Sequence, residues 1–390
     1  LPTTLEKEAI EPGSGGLIRP GRPGWQPAPK TAAIWALAAF VAMNLVLLPW
    51  AGQEKSTSLD LTSGSGAIDL ALTDFHVLKK RPDVVLLGSS LMNFPFWAVD
   101  REQNHTLPDI FHHHVSRAME AELRRAGWKD PTVFSLAVFG QMLSDAYIYV
   151  TEYLHGEKRP EWIIMGIAPR DFSDCDLPSP TATMTFRRLV GLANFSRYAD
   201  LYLPEWQMKA DFLASHACFF YGKRWRLQKE FEKAVDKVYA LAGLTAASAG
   251  KPSGERPAAF MLSGSEAERW QSSAREYRRR YRNIDAQSLN VQMGFLAQLL
   301  RVCRERGTKV LIVNMPLTEL NRSLLPAGFY DGFRACLARA AQRPGVYLLD
   351  LGDSREFVLS DYWDTAHLNH SGGRKLLKRV MAALSKARAY

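Results

Sequence analysis

Two short stretches near opposite ends of the chain hold residue types that could do chemistry together. The first is Asp83-Val84-Val85-Leu86-Leu87-Gly88-Ser89-Ser90-Leu91. Four consecutive apolar residues, two of them β-branched, predict a buried strand. In an open α/β sheet, ligands bind just beyond the carboxyl ends of the strands. A serine at that place, opening a following helix, can attack a carbonyl beside its own backbone oxyanion donors. Gly and Ser also make ordinary turns, so a plain strand-to-loop turn competes with that reading. The second stretch is Asp361-Tyr362-Trp363-Asp364-Thr365-Ala366-His367-Leu368-Asn369-His370-Ser371-Gly372-Gly373. Asp364 and His367, three apart, can share one turn. The carboxylate then orients the imidazole, which takes a proton from a serine hydroxyl. Such pairs also arise by chance on helix surfaces. Together the two stretches point to acyl transfer through Ser90, His367 and Asp364.

The same residues resemble a known superfamily. Gly88-Ser89-Ser90-Leu91 is similar to block I of the SGNH (GDSL-type) hydrolases, and Asp364-x-x-His367 is similar to block V. Set on Gly-Asp-Ser-Leu, the chain puts Ser89 in the Asp position and Ser90 in the nucleophile position. The Gly-Ser-Ser variant, an N-terminal apolar segment and the His-Leu-Asn ending most resemble the DltD-like branch. That resemblance implies a membrane-anchored protein beside a membrane-bound O-acyltransferase, modifying a cell-envelope glycan or glycolipid. It also implies a three-layer SGNH/flavodoxin-like α/β fold with a mainly parallel sheet, and no metal or organic cofactor. Block II of the superfamily supplies a glycine N–H to the oxyanion hole, and Gly140 matches it. Where the superfamily has an Asn as a further donor, this chain has Ala168-Pro169-Arg170-Asp171. Arg170 is the candidate substitute, because a guanidinium can donate to an oxyanion or hold an anionic substrate. An ion pair with Asp171 or another carboxylate is the structural alternative.

Five apolar runs are placed to position these groups. They are Asp83–Leu87, Pro131–Val138, Glu161–Ile167, Lys309–Leu317 and Gly345–Leu351, with helical stretches between them. That alternation predicts a mainly parallel five-stranded sheet. Asn314 sits at the carboxyl end of the fourth strand and could point into the site or cap a turn. Predicted helices include Val115–Ala126, Ser144–Leu154, Ala286–Arg306, Tyr330–Arg343 and Arg374–Lys386. From about 173 to 285 the alternation stops. Helices over Phe186–Tyr202, Trp206–Phe220 and Leu227–Leu241 predict a helical insertion that could act as a lid or dock a partner. Ala246–Pro257 reads as a loop. The cationic run Arg275–Arg282 could meet a polyanion, or lie on a solvated helix.

Residues 1–30 are Pro- and Gly-rich and predict a disordered cytoplasmic tail. Residues 31–52 hold no charged side chain. About 20 apolar residues span a bilayer as a helix, and Trp35 and Trp50 fall near the two ends, where indoles favour the interface. A signal peptide and a buried soluble helix are the alternatives. Arg19, Arg22 and Lys30 precede the segment, so the expected topology puts the C-terminal part outside the cytoplasm. Residues 53–73 read as a linker, and 74–390 as the SGNH-like domain. Asn93-Phe94-Pro95-Phe96-Trp97 reads as an aromatic loop that could line a groove. His112-His113-His114 invites a metal reading. Consecutive helical residues diverge by about 100°, however, which favours a structural role.

The 390 residues carry a net charge of +9. An anionic partner is expected, phospholipid or acidic polymer, since no nucleic-acid motif accompanies the charge. The four cysteines, Cys175, Cys218, Cys303 and Cys336, have no zinc-type spacing, and outside the cytoplasm two of them could form a disulfide that the sequence does not pair. An anchored carbohydrate or lipid esterase is the alternative activity. A non-catalytic scaffold using the basic insertion is the alternative from another class.

Overall fold

The computed structural model describes residues 30–51, 64–104, 109–241, 264–282, 284 and 286–389. Nearly all of the expected tail, the expected loop at 246–257 and residues 53–63 of the expected linker lie outside these.

The apolar runs form five strands: β1 (Val84–Gly88), β2 (Val133–Ser135), β3 (Trp162–Ile167), β4 (Lys309–Asn314) and β5 (Val346–Asp350). They pair in the order β2-β1-β3-β4-β5, every pair parallel. The chain reverses its direction of growth between β1 and β3, so the crevice beyond their carboxyl ends is the topological switch point. The register aligns those ends: Gly88 faces Gly166, Ile167 faces Asn314, and Asn314 faces Asp350.

Fifteen helices are described. Before the insertion come α1 (Lys30–Ala51), α2 (Gly64–His76), α3 (Ser90–Gln103), α4 (Arg117–Arg125) and α5 (Leu143–Glu152). The insertion holds α6 (Met184–Leu189), α7 (Phe195–Tyr202), α8 (Trp206–Ala217), α9 (Phe219–Gly222), α10 (Arg224–Leu241) and α11 (Glu266–Arg280). After it come α12 (Ala286–Glu305), α13 (Glu319–Arg322), α14 (Phe329–Ala340) and α15 (His370–Arg388). Strand side chains alternate between two cores, as the pleat requires. Val85, Leu87, Ile163, Met165, Val310 and Ile312 pack with α2, α5, α12 and α14. Val84, Leu86, Trp162, Ile164, Leu311 and Val313 pack with α3, α4 and α15 on the other face. The result is a three-layer α/β arrangement.

Several expectations change. Residues 64–73, read as linker, belong to α2, whose Ala67, Ile68, Ala71, Leu72 and Phe75 are buried. The stripe repeats at helical spacing, and its burial outweighs the glycines at the start. Asn93–Trp97 is not a loop but the second turn of α3, with Phe94, Phe96 and Trp97 buried and Pro95 inside the helix. The histidine run lies before α4: His112 ends a short 3₁₀ turn, and His113 and His114 are buried. His113 Nε2 is 2.8 Å from Asp100, and burial pushes His114 down to about 4. The expected helix over 186–202 is broken at Val190–Asn194 into α6 and α7. Helix α15 starts four residues earlier than expected, because Asn369 caps it by accepting the N–H groups of Ser371 and Gly372. Arg275–Arg280 lies in α11, where Arg280 pairs with Asp174 and Glu276 rather than facing solvent. All four cysteines are free thiols.

Helix α1 contains an 18-residue window, Ala32–Pro49, that is long and apolar enough to cross a membrane.

Candidate active site

Helix α3 begins at the end of β1, and Ser90 is its first residue. Ser90 is half-buried, while Ser89 before it is fully buried. The opening N–H groups of a helix have no intrahelical acceptor and carry the positive end of its dipole. A negative oxygen formed at Ser90 therefore faces favourable charge.

Ser90 Oγ lies 2.9 Å from His367 Nε2. His367 Nδ1 lies 2.8 Å from Asp364 Oδ2 and 3.0 Å from Oδ1. Asp364 Oδ1 also accepts the backbone N–H of Ala366 at 2.8 Å and of His367 at 2.9 Å. Burial alone would raise the Asp364 pKa. The adjacent imidazole and these hydrogen bonds outweigh it and hold the carboxyl below its usual range. Ionised Asp364 fixes the proton on Nδ1, which leaves Nε2 to accept the Ser90 hydroxyl proton.

The loop carrying Asp364 and His367 is clamped from several sides. Tyr362 bridges Leu368, and the Trp363 N–H donates to the His367 carbonyl at 2.7 Å. Thr365, inside the motif, is fully buried. Its hydroxyl is 2.6 Å from Ser273 on α11, and its carbonyl accepts from Thr318 at 2.6 Å. Asn321 donates to the Thr365 hydroxyl at 3.3 Å. The histidine ring stands beside an aromatic group: Phe94 is 5.6 Å from it, and Trp97 and Trp363 lie 5.4 and 6.0 Å from Phe94. The Arg269 guanidinium sits 4.2 Å over Trp363.

Gly140 lies in the turn after β2, with φ +76°, a conformation glycine adopts without a Cβ penalty. That turn is tied to the start of the serine loop. Gly88 accepts the Val138 N–H at 3.1 Å and donates its own N–H to Gln141 Oε1 at 2.6 Å. Gln141 Nε2 donates in turn to the Leu136 carbonyl. Among the described residues, the N–H groups of Ser90 and Gly140 donate to no hydrogen-bond acceptor. Gln141 was missed in the sequence; its only signal is a polar residue next to the turn glycine.

No family model matches the chain, and no curated protein matches it.

Arg170 stands apart from the role of oxyanion donor. It is buried, and its guanidinium donates to Asp174 at 3.0 Å, to Asp171 at 3.2 Å, and to the carbonyls of Gly140 at 3.1 Å and Gln141 at 3.4 Å. The structural alternative describes it: Arg170 braces the Gly140 turn. Asn314 is likewise engaged elsewhere. Its amide donates to Asp350 at 2.7 Å and to Tyr330 at 3.3 Å, which ties it to β5 and α14 rather than to Ser90. The buried Ser89 hydroxyl has no hydrogen-bond partner among the described residues, though its nearness helps to hold the Asp171 pKa down. Among the described residues, the serine hydroxyl hydrogen-bonded to His367 is that of Ser90.

Proposed function

We propose that the chain is an extracytoplasmic serine acyltransferase or acyl carrier, anchored by α1 and acting on a cell-envelope polysaccharide or glycolipid. The observation that carries this reading is the Ser90–His367–Asp364 relay at 2.9 and 2.8 Å. It stands at the switch point of a parallel sheet, at the start of α3. The strand order, the two end motifs and the apolar α1 fit an SGNH-type fold of the DltD-like branch. A membrane-bound O-acyltransferase is the partner that this reading implies.

The chemistry runs in two steps. Ser90 Oγ attacks the carbonyl of an ester or thioester as His367 Nε2 takes its proton. The tetrahedral oxygen is met by the N–H groups of Ser90 and Gly140. The donor alcohol or thiol leaves with the proton from His367, and Ser90 holds the acyl group. A sugar hydroxyl then gives its proton to His367 and attacks the acyl-serine; the bond to Ser90 Oγ breaks as His367 returns the proton to it, and the sugar carries the acyl group away. Water in place of the sugar would make the same site an esterase.

The test is labelling of the detergent-solubilised full chain with a fluorophosphonate probe. Ser90→Ala and His367→Ala are expected to abolish labelling, and Ser89→Ala to retain it. Labelling that persists in Ser90→Ala would refute the assignment. With an acyl donor supplied, acyl appearing on added glycan supports transfer. Free acid released at the same rate without glycan would mark an esterase.

A further inference from the structure

The insertion presents apolar side chains on its outside. On α10, Leu227, Phe231 and Val238 are spaced by four and seven residues, so they share one helix face. All three are exposed, Phe231 at 69%. On α8, Trp206 and Leu213 are seven apart and also exposed. A protein surrounded by water rarely leaves an apolar helix face such as that of α10 uncovered. The sequence from Lys223 to Val238 sets six cations against three carboxylates.

What covers this surface is indicated by α1. Asn44 is the one polar side chain in the middle of the apolar helix, and it is buried. Its Oδ1 accepts from the Cys218 thiol at 3.2 Å and from the Phe220 N–H at 3.4 Å, at the corner between α8 and α9. Phe40, one turn earlier, stacks on Phe220 at 5.6 Å. An amide inside a bilayer needs such partners, so the α8–α9 corner must go where Asn44 goes. Asn44 lies five residues before Pro49, the end of the apolar window. At 1.5 Å per residue that is about 8 Å below the end of the apolar window. An amphipathic helix lying in the membrane surface buries its apolar face to about 5–10 Å. The two depths agree, and α10 begins two residues after α9 ends.

We infer that α8–α10 form a membrane-surface platform, with Phe231 and its neighbours in the acyl-chain boundary and the adjoining cations among anionic phospholipid headgroups. The inference rests on α1 spanning the bilayer and is independent of the acyl chemistry. It gives the α/β domain a second attachment beside α1 and thereby a fixed height and tilt, which a single span does not supply.

The full chain, reconstituted in vesicles of phosphatidylcholine and phosphatidylglycerol, would be irradiated with a phospholipid carrying a diazirine at the upper acyl chain. Adducts would then be mapped by peptide mass spectrometry. Adducts are expected on α1 and also across Leu227–Val238. Leu227→Glu with Phe231→Glu, both exposed and so compatible with folding, should cut the α10 adducts about tenfold and leave those on α1 unchanged. Adducts on α1 alone, or α10 adducts undiminished in the double variant, would overturn the platform and leave the anchor standing. In the first case the face would pass to a protein partner. Adducts on neither helix would overturn the anchor as well.

Discussion

Gly373 lies against the carbonyl of Pro95 with no room for a methyl group: a Cβ there would sit 2.5 Å from Pro95 O and 2.8 Å from Val99 Cγ2. Pro95 is in α3, which begins at Ser90. Gly373 is in α15, which the His367 loop feeds directly. The Ser90–His367 distance is therefore set by how closely two helices approach. Gly373→Ala should push them apart. Overpacking of this kind costs about 1–3 kcal/mol, read as a lower Tm. Labelling of Ser90 by the fluorophosphonate should slow at temperatures where the variant is still folded. Lys378→Ala, on the exposed side of the same helix, should change neither. A full labelling rate in folded Gly373→Ala would show that the helix contact does not position the relay.

Asp364→Asn separates geometry from charge. An amide oxygen at the Oδ1 position can still accept the N–H groups of Ala366 and His367, so the loop should keep its shape. The NH₂ then faces Nδ1, and the imidazole must carry its proton on Nε2. Ser90 loses its acceptor. A fall of about 10⁴-fold in labelling rate is expected, with Tm little changed. An equal fall in Tm and rate would place Asp364 among purely structural residues.

The relay was legible because each of its parts is local. Ser90 follows an apolar strand directly, and Asp364 and His367 share one turn. The strands were legible for the same reason, since β1 and β4 are unbroken apolar runs buried on both faces. What escaped notice depends on distant partners. Pro95 and its aromatic neighbours look like a loop, yet burying Phe94, Phe96 and Trp97 carries the helix through. Thr365 is pinned by Ser273, 92 positions away, and no local pattern announces that. Arg170 was read toward the site because it follows β3. Asp171 is its immediate neighbour in sequence, but Asp174 lies a turn further on and the two carbonyl partners belong to the turn after β2.

Arg170→Gln distinguishes a brace from an oxyanion donor. Removing the guanidinium leaves Asp171 and Asp174 buried, Asp174 still held by Arg280, and frees the Gly140 carbonyl. Breaking one side of a buried ion pair typically costs about 3–5 kcal/mol. A large drop in Tm is expected. Arg170→Lys should recover only part of it, because an ammonium cannot reach four acceptors in a plane. A variant of unchanged Tm with a strongly reduced rate would return Arg170 to the oxyanion hole.

Asp145 responds to acid in the opposite sense to lowered carboxyls such as Asp364. It lies fully buried in the first turn of α5 and accepts the Met142 N–H at 2.9 Å, while its Oδ1 has no hydrogen-bond partner among the described residues. Burial pushes its pKa from 3.8 to about 7, against the opposing pull of Thr183, the Met142 N–H and Arg170. Asp171 is pushed the same way, to about 6. A carboxyl with a raised folded pKa binds its proton more tightly folded than unfolded. Its contribution to stability is therefore best at low pH and falls as pH rises from 3.8 to about 7. Asn at position 145 keeps an acceptor for Met142 and never ionises. Asp145→Asn should be more stable than the parent chain at about pH 8, and the difference should shrink toward about pH 5. Urea unfolding of the solubilised chain at both values checks this; a difference independent of pH would show that Asp145 does not titrate in this range.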